Sequence, residues 1–252
     1  MTQSLPTGYH EIAAPPALAD RVECFWWRRA IGPAADRGRI LPDGRIDLVW
    51  SEGSGVLVAG PQTQYLSRPF EAPFLAIGAR FHPGAAAEPL GVAASELIDS
   101  HVPLDEIDSP FASAMAERLA TVRSPREIPA ALAPPLADRF AELGPPDPLL
   151  RAAVAMLALG GLRVSELARA AAISERQLQR RFRTRVGYGP KTLDRVLRFQ
   201  RFARALARSP GDEDGLAGHA IATGYSDQAH LTRESRALAG ATPVEIRRWL
   251  AS

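Results

Sequence analysis

Residues 174–183 read SERQLQRRFR, and this stretch decides how the C-terminal part of the chain folds. Leu178 and Phe182 are four positions apart, a spacing that places two side chains on one face of an α-helix. Ser174 carries the short side-chain oxygen that favours a helix N-terminus. The pattern predicts an amphipathic helix whose outer face is rich in arginine. That face is either an ordinary solvated surface or one that binds something acidic.

A second copy of the stretch lies 53 residues further along the chain. The aligned pairs are Ser174 with Asp227, Leu178 with Leu231, Arg180 with Arg233, Arg183 with Arg236, Gly187 with Gly240 and Pro190 with Pro243. Each copy reads as a short helix, a turn of three or four residues and a second helix, which is the layout of a helix-turn-helix. The chain is therefore predicted to contain two such units.

The second helix of each unit has a polar arc with donors and almost no carboxylates. Successive residues of an α-helix are about 100° apart around its axis, and angles are counted from Leu178 in the first copy and from Leu231 in the second. The arc between about 100° and 200° holds Arg176, Gln179, Arg180 and Arg183 in the first copy, and Ala229, Thr232, Arg233 and Arg236 in the second. Solvated helix faces usually mix charges of both signs. Arginine and glutamine can bond to guanine and adenine in the major groove, so the arcs favour DNA.

One chain with two units does not need a partner to present two recognition helices. Helix-turn-helix proteins usually place these helices ~34 Å apart by dimerisation. The segment 191–209 between the units is ~28 Å long as a helix at ~1.5 Å per residue. A single protomer is thus predicted to read two successive major-groove turns. Arginines at the edges of the arcs, and Lys191, are expected to hold phosphates.

Residues 147–252 resemble the DNA-binding domain of AraC/XylS-type bacterial transcription regulators. The resemblance rests on SELARAAAISERQLQRRFRTRVGYGP, on the arginine-rich helix that follows and on LAGHAIATGYSDQAHLTRESRALAGATPVEIRRW. It implies that the two recognition helices enter adjacent major grooves. By motif position, Arg176, Gln179 and Arg180 face bases in the first groove, and Gln228, His230, Thr232 and Arg233 do so in the second. Arg183, Arg236 and Lys191 complete the expected DNA-binding set.

Ser235 departs from the family pattern, which usually has an aromatic residue at this position. Phe182 is its counterpart in the first copy. The replacement weakens the apolar stripe of the second unit. We expect that unit to pack differently or to bind DNA less tightly, and the first unit to contribute more base contacts.

The two parts of the chain carry opposite net charges. Residues 1–145 contain 12 Arg against 18 Asp and Glu, a net charge of −6. Residues 146–252 contain 17 Arg and one Lys against 10 Asp and Glu, a net charge of +8. A bias toward arginine would affect both parts alike, so the asymmetry indicates that the C-terminal part meets a polyanion.

Proline and glycine residues mark the boundary between the parts. Residues 121–148 contain seven prolines, and Gly144 precedes Pro145 and Pro146. We expect a sensing or dimerisation domain over 1–120, a Pro-rich linker with one short helix near 135–143 over 121–146, and the tandem helix-turn-helix domain over 147–252. About seven helices are predicted in this last domain, with Asp147 capping the first, Ser174 capping the third and Pro210–Gly211 ending the fourth.

The N-terminal part is predicted to be an α+β domain with an antiparallel sheet. Its expected strands, at 23–30, 45–50, 55–60 and 74–81, are rich in aromatic and β-branched residues and are bounded by turn formers. Helices are expected at 83–98 and 110–122. ILPDGRIDLVW (40–50), GARFHPGAAAEPLG (78–91) and VPLDEI (102–107) resemble a less-characterised domain that accompanies such DNA-binding domains.

Aromatic residues and one arginine suggest where this domain could hold an effector. Trp26 and Trp50 are candidates because aromatic side chains often line ligand pockets, although aromatic residues in small sheet domains are more often core. Arg80 ends a predicted strand just before a helix start, where an anion can bind. A local salt bridge to a nearby carboxylate is the alternative role for Arg80.

Cys24 is the only cysteine, so the chain has neither an internal disulfide nor a multi-cysteine zinc site. We expect no catalytic residues, metal or cofactor, and a cytoplasmic protein that reaches the nucleoid through DNA. Its expected partners are operator or promoter DNA, a small-molecule effector, RNA polymerase and a second copy. An enzyme, such as an alkyl-transfer repair protein fused to a DNA-binding domain, and a ligand-independent regulator remain alternatives.

Overall fold

The computed structural model describes residues 5–31, 39–67, 73–161, 163–208 and 215–251. Its N-terminal part contains a six-stranded sheet with the order β1-β2-β7-β4-β5-β8, in which every neighbouring pair is antiparallel. The strands are β1 (Gly8–Ala13), β2 (Val22–Ala30), β4 (Asp47–Ser51), β5 (Gly55–Ala59), β7 (Phe74–Phe81) and β8 (His101–Pro103). A separate two-stranded ribbon pairs β3 (Arg39–Ile40) with β6 (Leu66–Ser67). The predicted antiparallel sheet is confirmed.

Helices and one face of the sheet form the N-terminal core. Short α1 (Ala87–Leu90) is followed by α2 (Asp105–Ala120) and α3 (Ile128–Ala141). Alternate residues of the central strands, which include Leu48, Trp50 and Ile77, point to the face that the helices cover, and all are buried. Burial of this apolar area is the main stabilising contribution to the N-terminal part.

The N-terminal helices differ from the sequence-based expectation. The prediction of a single helix over 83–98 was wrong. Helix α1 stops before Gly91, whose φ of 68° ends the helix, and only a 3₁₀ turn (Ala94–Glu96) follows. The helix expected at 135–143 begins earlier, at Ile128. Its apolar side enters the N-terminal core, so this stretch packs against the sheet domain rather than running free as a linker.

Seven helices follow in the described part of the C-terminal region, as predicted. They are α4 (Pro148–Leu159), α5 (Val164–Ala170), α6 (Glu175–Val186), α7 (Pro190–Arg208), α8 (Leu216–Ala222), α9 (Gln228–Ala239) and α10 (Pro243–Ala251). Asp147 caps α4 by accepting the N–H groups of Leu149 and Leu150, at 3.0 and 3.2 Å. The predicted helix end at 210–211 lies outside the described residues.

Long helix α7 is the centre of the C-terminal core. Its buried side chains recur every three or four positions, the spacing that forms one continuous apolar face. They are Leu193, Val196, Phe199, Phe202, Ala203 and Leu206. Both helix-turn-helix units pack against this one face, because Phe182 of α6 and Leu231 of α9 belong to the same core. The two recognition helices are therefore mounted on a shared support.

Candidate nucleic-acid interface and effector cavity

The first recognition helix, α6, is fixed at both ends. At its start, Ser174 Oγ accepts the Gln177 N–H at 3.2 Å, and Gln177 Oε1 accepts the Ser174 N–H at 2.9 Å. This reciprocal pair satisfies two of the N–H groups that a helix leaves free. At its end, Gly187 has a φ of 105°, which glycine adopts without a steric penalty. Leu178 and Phe182 are fully buried, as their spacing predicts.

The arginines of α6 divide into two groups that the sequence does not separate. Arg181 binds Asp147 at 3.0 Å and Arg185 binds Glu88 at 3.0 Å, so both help to hold the fold together. Arg176, Arg180 and Arg183 are exposed, and none of them forms an ion pair with a carboxylate in the described ranges. These three point to solvent from the arc that was predicted to face DNA.

Gln179 lies beside this arc and is half-buried. Its side-chain amide rests over Gly189, where an added Cβ would lie 2.5 Å from Oε1. The absence of a side chain at Gly189 therefore makes room for Gln179. Lys191, in the first turn of α7, is exposed next to the same end of the unit.

The second recognition helix, α9, begins in the same way as α6. Asp227 caps it by accepting the His230 N–H at 2.6 Å. Gln228, Arg233 and Arg236 are exposed, and Leu231 is fully buried on the opposite face. Arg233 and Arg236 therefore occupy the face that the repeat predicts, and Gln228 lies beside it at the start of the helix.

Two predicted base-facing residues of α9 also make contacts within the unit. The His230 ring lies edge-on to Tyr225 at 5.2 Å between centroids, and its Nδ1 lies 3.2 Å from Ser226 Oγ. The Thr232 hydroxyl donates to the Gln228 carbonyl at 2.9 Å. Its proton is thus used within the helix, and Thr232 would meet a base through its methyl group or as an acceptor.

Ser235 lies in the buried stripe of α9, at the position that corresponds to Phe182. Its side chain is fully buried, and its hydroxyl has no hydrogen-bond partner among the described residues. A buried, unpaired hydroxyl costs about 1–3 kcal/mol. An ion pair from a neighbouring position of α9 offsets part of this weakness, because Glu234 binds Arg195 of α7 through two bonds of 2.9 and 3.0 Å. Burial raises the pKa of Glu234, but Arg195 outweighs this effect, so the pKa is lowered overall.

The uncovered face of the N-terminal sheet forms a cavity of about 430 Å³. Its floor follows from the strand register, which places Trp26, Gly78 and Val49 side by side. A Cβ at Gly78 would lie 2.5 Å from the indole ring, so glycine is what allows Trp26 to lie across the sheet. Trp26 and Arg80 line the cavity, as do Ile40 and Leu66 of the ribbon. Trp50 does not, because its side chain points into the helix-covered core.

Arg80 is already bound by the protein's own acceptors. Its Nε and Nη2 donate to Asp47 at 3.2 and 3.1 Å, and its Nη1 donates to Glu11 and to Tyr9, both at 3.0 Å. Burial raises the pKa of Asp47, and the positive charge of Arg80 only partly opposes this. Arg80 therefore has little donor capacity left for an anion, and the local ion pair is the role that the geometry favours.

Cys24 lies on the same sheet face and is buried. Burial raises the pKa of its thiol to about 12, so a thiolate nucleophile is disfavoured at neutral pH. Within the described ranges, no group of three or more His, Cys, Asp or Glu residues is arranged to hold a metal ion. In the same ranges, no helix has the length and apolar character needed to cross a membrane.

Comparison with solved structures aligns the chain with ToxT from Vibrio cholerae. Its P21 crystal form aligns with a TM-score of 0.48 and 9% identity, over 99% of this chain and 100% of that chain. ToxT from strain O395 bound to (E)-4-(8-methylnaphthalen-1-yl)but-3-enoic acid gives 0.45 and 9%, over 98% and 100%. Unsaturated fatty acid bound wild-type ToxT from strain SCE256 gives 0.42 and 8%, over 98% and 89%.

Family models match both parts of the chain, whereas no curated protein matches it. Residues 10–103 match a domain of unknown function, DUF6597, and residues 167–248 match a helix-turn-helix domain. The second match spans both recognition helices and the α7 support between them. The chain thus carries an AraC-type helix-turn-helix domain behind a DUF6597 domain, and the helix-turn-helix match supports a DNA-binding transcription regulator.

Proposed function

We propose that the chain is a sequence-specific regulator that reads two successive major-groove turns of duplex DNA with α6 and α9. One observation carries the proposal: each recognition helix exposes cations on the repeat-equivalent arc, and no described carboxylate pairs with them. These cations are Arg176, Arg180 and Arg183 on α6, and Arg233 and Arg236 on α9. Exposed arginines without internal partners suit phosphates and guanine edges.

The roles within the interface follow from position on each helix. Arg176, Gln179 and Arg180 lie toward the N-terminal half of α6, the part of a recognition helix that contacts base edges. Arg183 and Lys191 lie at the edge of this surface and would hold phosphates. In the second unit, Gln228, His230, Thr232 and Arg233 would face bases, and Arg236 would lie at the edge.

The proposal extends to domains and partners. We place the DNA-binding domain at 147–252, the sensing or dimerisation domain at 1–120 and the connection between them at 121–146, where helix α3 packs against the sheet domain. A small-molecule effector would bind the N-terminal cavity. RNA polymerase and a second copy of the chain are the further partners that a promoter-bound regulator implies. Binding to chromosomal DNA would place the protein in the cytoplasm at the nucleoid.

Arg180→Ala is expected to weaken binding to the cognate site by about 1–3 kcal/mol, because a bidentate contact to a guanine would be lost. The preference at one base pair should relax at the same time. Competition binding with every single-base variant of the site measures both effects. Arg181→Ala is the matched control, because Arg181 lies on the same helix but is paired with Asp147. Equal losses on cognate and random duplex would mean that Arg180 contacts only phosphate.

A further inference from the structure

Every charged side chain that lines the N-terminal cavity already has a partner inside the chain. The lining holds two carboxylates and three guanidinium groups, which are those of Asp43, Asp47, Arg28, Arg45 and Arg80. Asp47 accepts two hydrogen bonds from Arg80, and Asp43 lies 3.9 Å from Arg45 and 3.8 Å from Arg80. A cationic ligand would therefore find both carboxylates occupied.

The arginines of the lining are engaged in the same way. Arg45 donates through Nε and Nη2 to the carboxylate of Glu23 and through Nη1 to the Asp43 carbonyl. Arg80 uses all three of its nitrogens, and Arg28 also interacts within the chain. A ligand of either charge would have to displace an internal partner or lose its hydration without replacement. The lining therefore favours an uncharged ligand.

The rest of the lining suits an aromatic or aliphatic body. Its apolar side chains are Trp26, Val49, Leu57, Phe74 and Ala76 of the sheet, and Ile40 and Leu66 of the ribbon. Ser51, Ser54 and Gln62 add hydroxyl and amide groups, which can bind one neutral polar group such as a hydroxyl. At about 430 Å³ the cavity has the size of a small-molecule site.

Two segments, residues 40–45 and 60–66, separate this cavity from the DNA-binding domain and form its dividing wall. Their cavity-lining residues are Ile40, Asp43, Arg45, Gly60, Gln62 and Leu66. Ile40 and Leu66 are register partners in the ribbon, so the two segments are joined. Residues in between contact the C-terminal domain. The dividing wall is thus a single layer of backbone between a ligand site and the DNA-binding domain.

The first segment of the wall contacts α7, the support of both recognition helices. Leu41 packs against the C-terminal core, and the Pro42 carbonyl accepts a hydrogen bond from the Gln200 side chain at 2.6 Å. Gly44 leaves no room for a side chain, because an added Cβ would lie 2.6 Å from a methyl group of Leu193. A ligand that displaces this segment would therefore act directly on α7.

The second segment contacts the C-terminal ends of both recognition helices. Pro61 packs against Gly187, where an added Cβ would lie 2.7 Å from its Cγ. The Tyr65 ring packs against Gly240, and the Tyr65 N–H donates to the Leu238 carbonyl at 2.8 Å. Because Gly187 and Gly240 are equivalent positions of the repeat, the wall touches the same point of each unit.

We propose that the cavity binds an uncharged small molecule with an aromatic or aliphatic body and one hydroxyl-like polar group, and that the dividing wall couples its binding to operator affinity through α7 and the ends of α6 and α9. This inference rests on the proposed function as a DNA-binding regulator. It assigns the ligand class and the regulation of that function. Because coupling between two sites is reciprocal, operator DNA must change the ligand affinity by the same factor.

The ligand class is tested without DNA. The probes 3-phenylpropanol, 3-phenylpropylamine and 3-phenylpropanoate share one body and differ in charge, and their binding to the full chain is measured by NMR. The alcohol is expected to bind at least ~10-fold more tightly than either charged probe, because it needs no counter-ion. Equal or tighter binding of the amine or the carboxylate, or no alcohol binding in the millimolar range, overturns the ligand class.

The position of the site is tested in the same assay. Leu57→Trp enlarges a half-buried side chain that faces the cavity from β5, and it should weaken alcohol binding by at least ~10-fold. Leu159→Ala, a change at a highly exposed position on α4, is the control and should bind like the parent. Unchanged alcohol affinity in a folded Leu57→Trp variant overturns the assignment of the cavity.

The coupling is tested with operator DNA selected by the ligand-free protein. Saturating alcohol is expected to change operator affinity by about 5-fold or more, within the usual range of allosteric coupling. The triple variant Leu41→Ala/Tyr65→Ala/Gln200→Leu removes contacts of both wall segments, and it should still bind the alcohol but respond less than ~2-fold. Alcohol binding without a change in operator affinity, or a full response in the triple variant, overturns the coupling.

A milder variant keeps the test decisive if circular dichroism shows that the triple variant does not fold. Gln200→Leu alone removes one hydrogen bond to the wall and should lower the response by at least ~2-fold. An unchanged response in this variant overturns the coupling as well. A selection that yields no operator contradicts the proposed function instead, and the ligand-class result stands independently of it.

Discussion

Phe182→Ala is expected to lower the free energy of unfolding by about 3–5 kcal/mol. The ring is fully buried between α6 and the α7 support, so its removal loses apolar burial and leaves a cavity that the packed helices cannot close. The same ring fixes the orientation of the first recognition helix. Operator affinity should therefore fall even at temperatures where the variant remains folded.

Urea unfolding followed by helical circular dichroism measures the stability effect. Phe182→Leu is the matched control, because it retains most of the apolar volume and should cost much less than the alanine variant. Arg176→Ala, an exposed change on the same helix, should alter stability by no more than about 0.5 kcal/mol. A loss below ~1 kcal/mol for Phe182→Ala would show that α6 is not anchored by this side chain.

Arg80→Ala is expected to destabilise the N-terminal domain by about 3 kcal/mol at neutral pH. The cost arises because the Asp47 carboxyl, whose side chain is 14% exposed, would lose the guanidinium that now binds it through two hydrogen bonds and would have to be either charged without that partner or protonated. Glu11 would lose its ion-pair partner as well, although it still accepts the Tyr9 hydroxyl, is exposed and can be solvated. Chemical denaturation of the full chain, followed by Trp fluorescence, measures the effect.

The pH dependence of this variant has a definite sign. The pKa of Asp47 is already raised by burial in the folded protein, and loss of Arg80 removes the largest opposing charge, so it rises further. A carboxyl group whose folded pKa exceeds its unfolded pKa destabilises the fold as pH rises through the folded value. The stability deficit should therefore be larger at pH ~8 than at pH ~5. Asp47→Asn in the Arg80→Ala background should restore stability, and a deficit independent of pH would contradict this account.

The C-terminal fold could be predicted from the sequence because its signals are local. Helix caps at Ser174 and Asp227 and apolar residues at four-residue spacing determine where α6 and α9 begin and which face is buried. The repeat made these signals mutually consistent, and the structure buries Leu178 and Leu231 as expected. Local sequence could not distinguish the exposed Arg180 from its ion-paired neighbour Arg181, because Asp147 reaches the latter from another helix.

The N-terminal site was less predictable because it depends on strand pairing between distant residues. Trp26 and Trp50 both suit a pocket by composition, yet only strand register shows that Trp26 faces the cavity and Trp50 the core. Gly78 gave no sequence signal for its role beneath the indole ring. The contacts of Pro61 with Gly187 and of Tyr65 with Gly240 were missed for the same reason, since they span more than 100 positions of the chain.

Hydroxyl-radical footprinting on a selected operator, combined with measurement of the number of protomers bound, tests most directly whether one chain reads two grooves. We expect one bound protomer to protect two patches on one face of the duplex, about 10 base pairs apart. Arg180→Ala should weaken the patch that α6 covers, and Arg233→Ala the patch that α9 covers. Protection of a single patch, or two patches that appear only when two protomers bind, would contradict reading of adjacent grooves by a single chain.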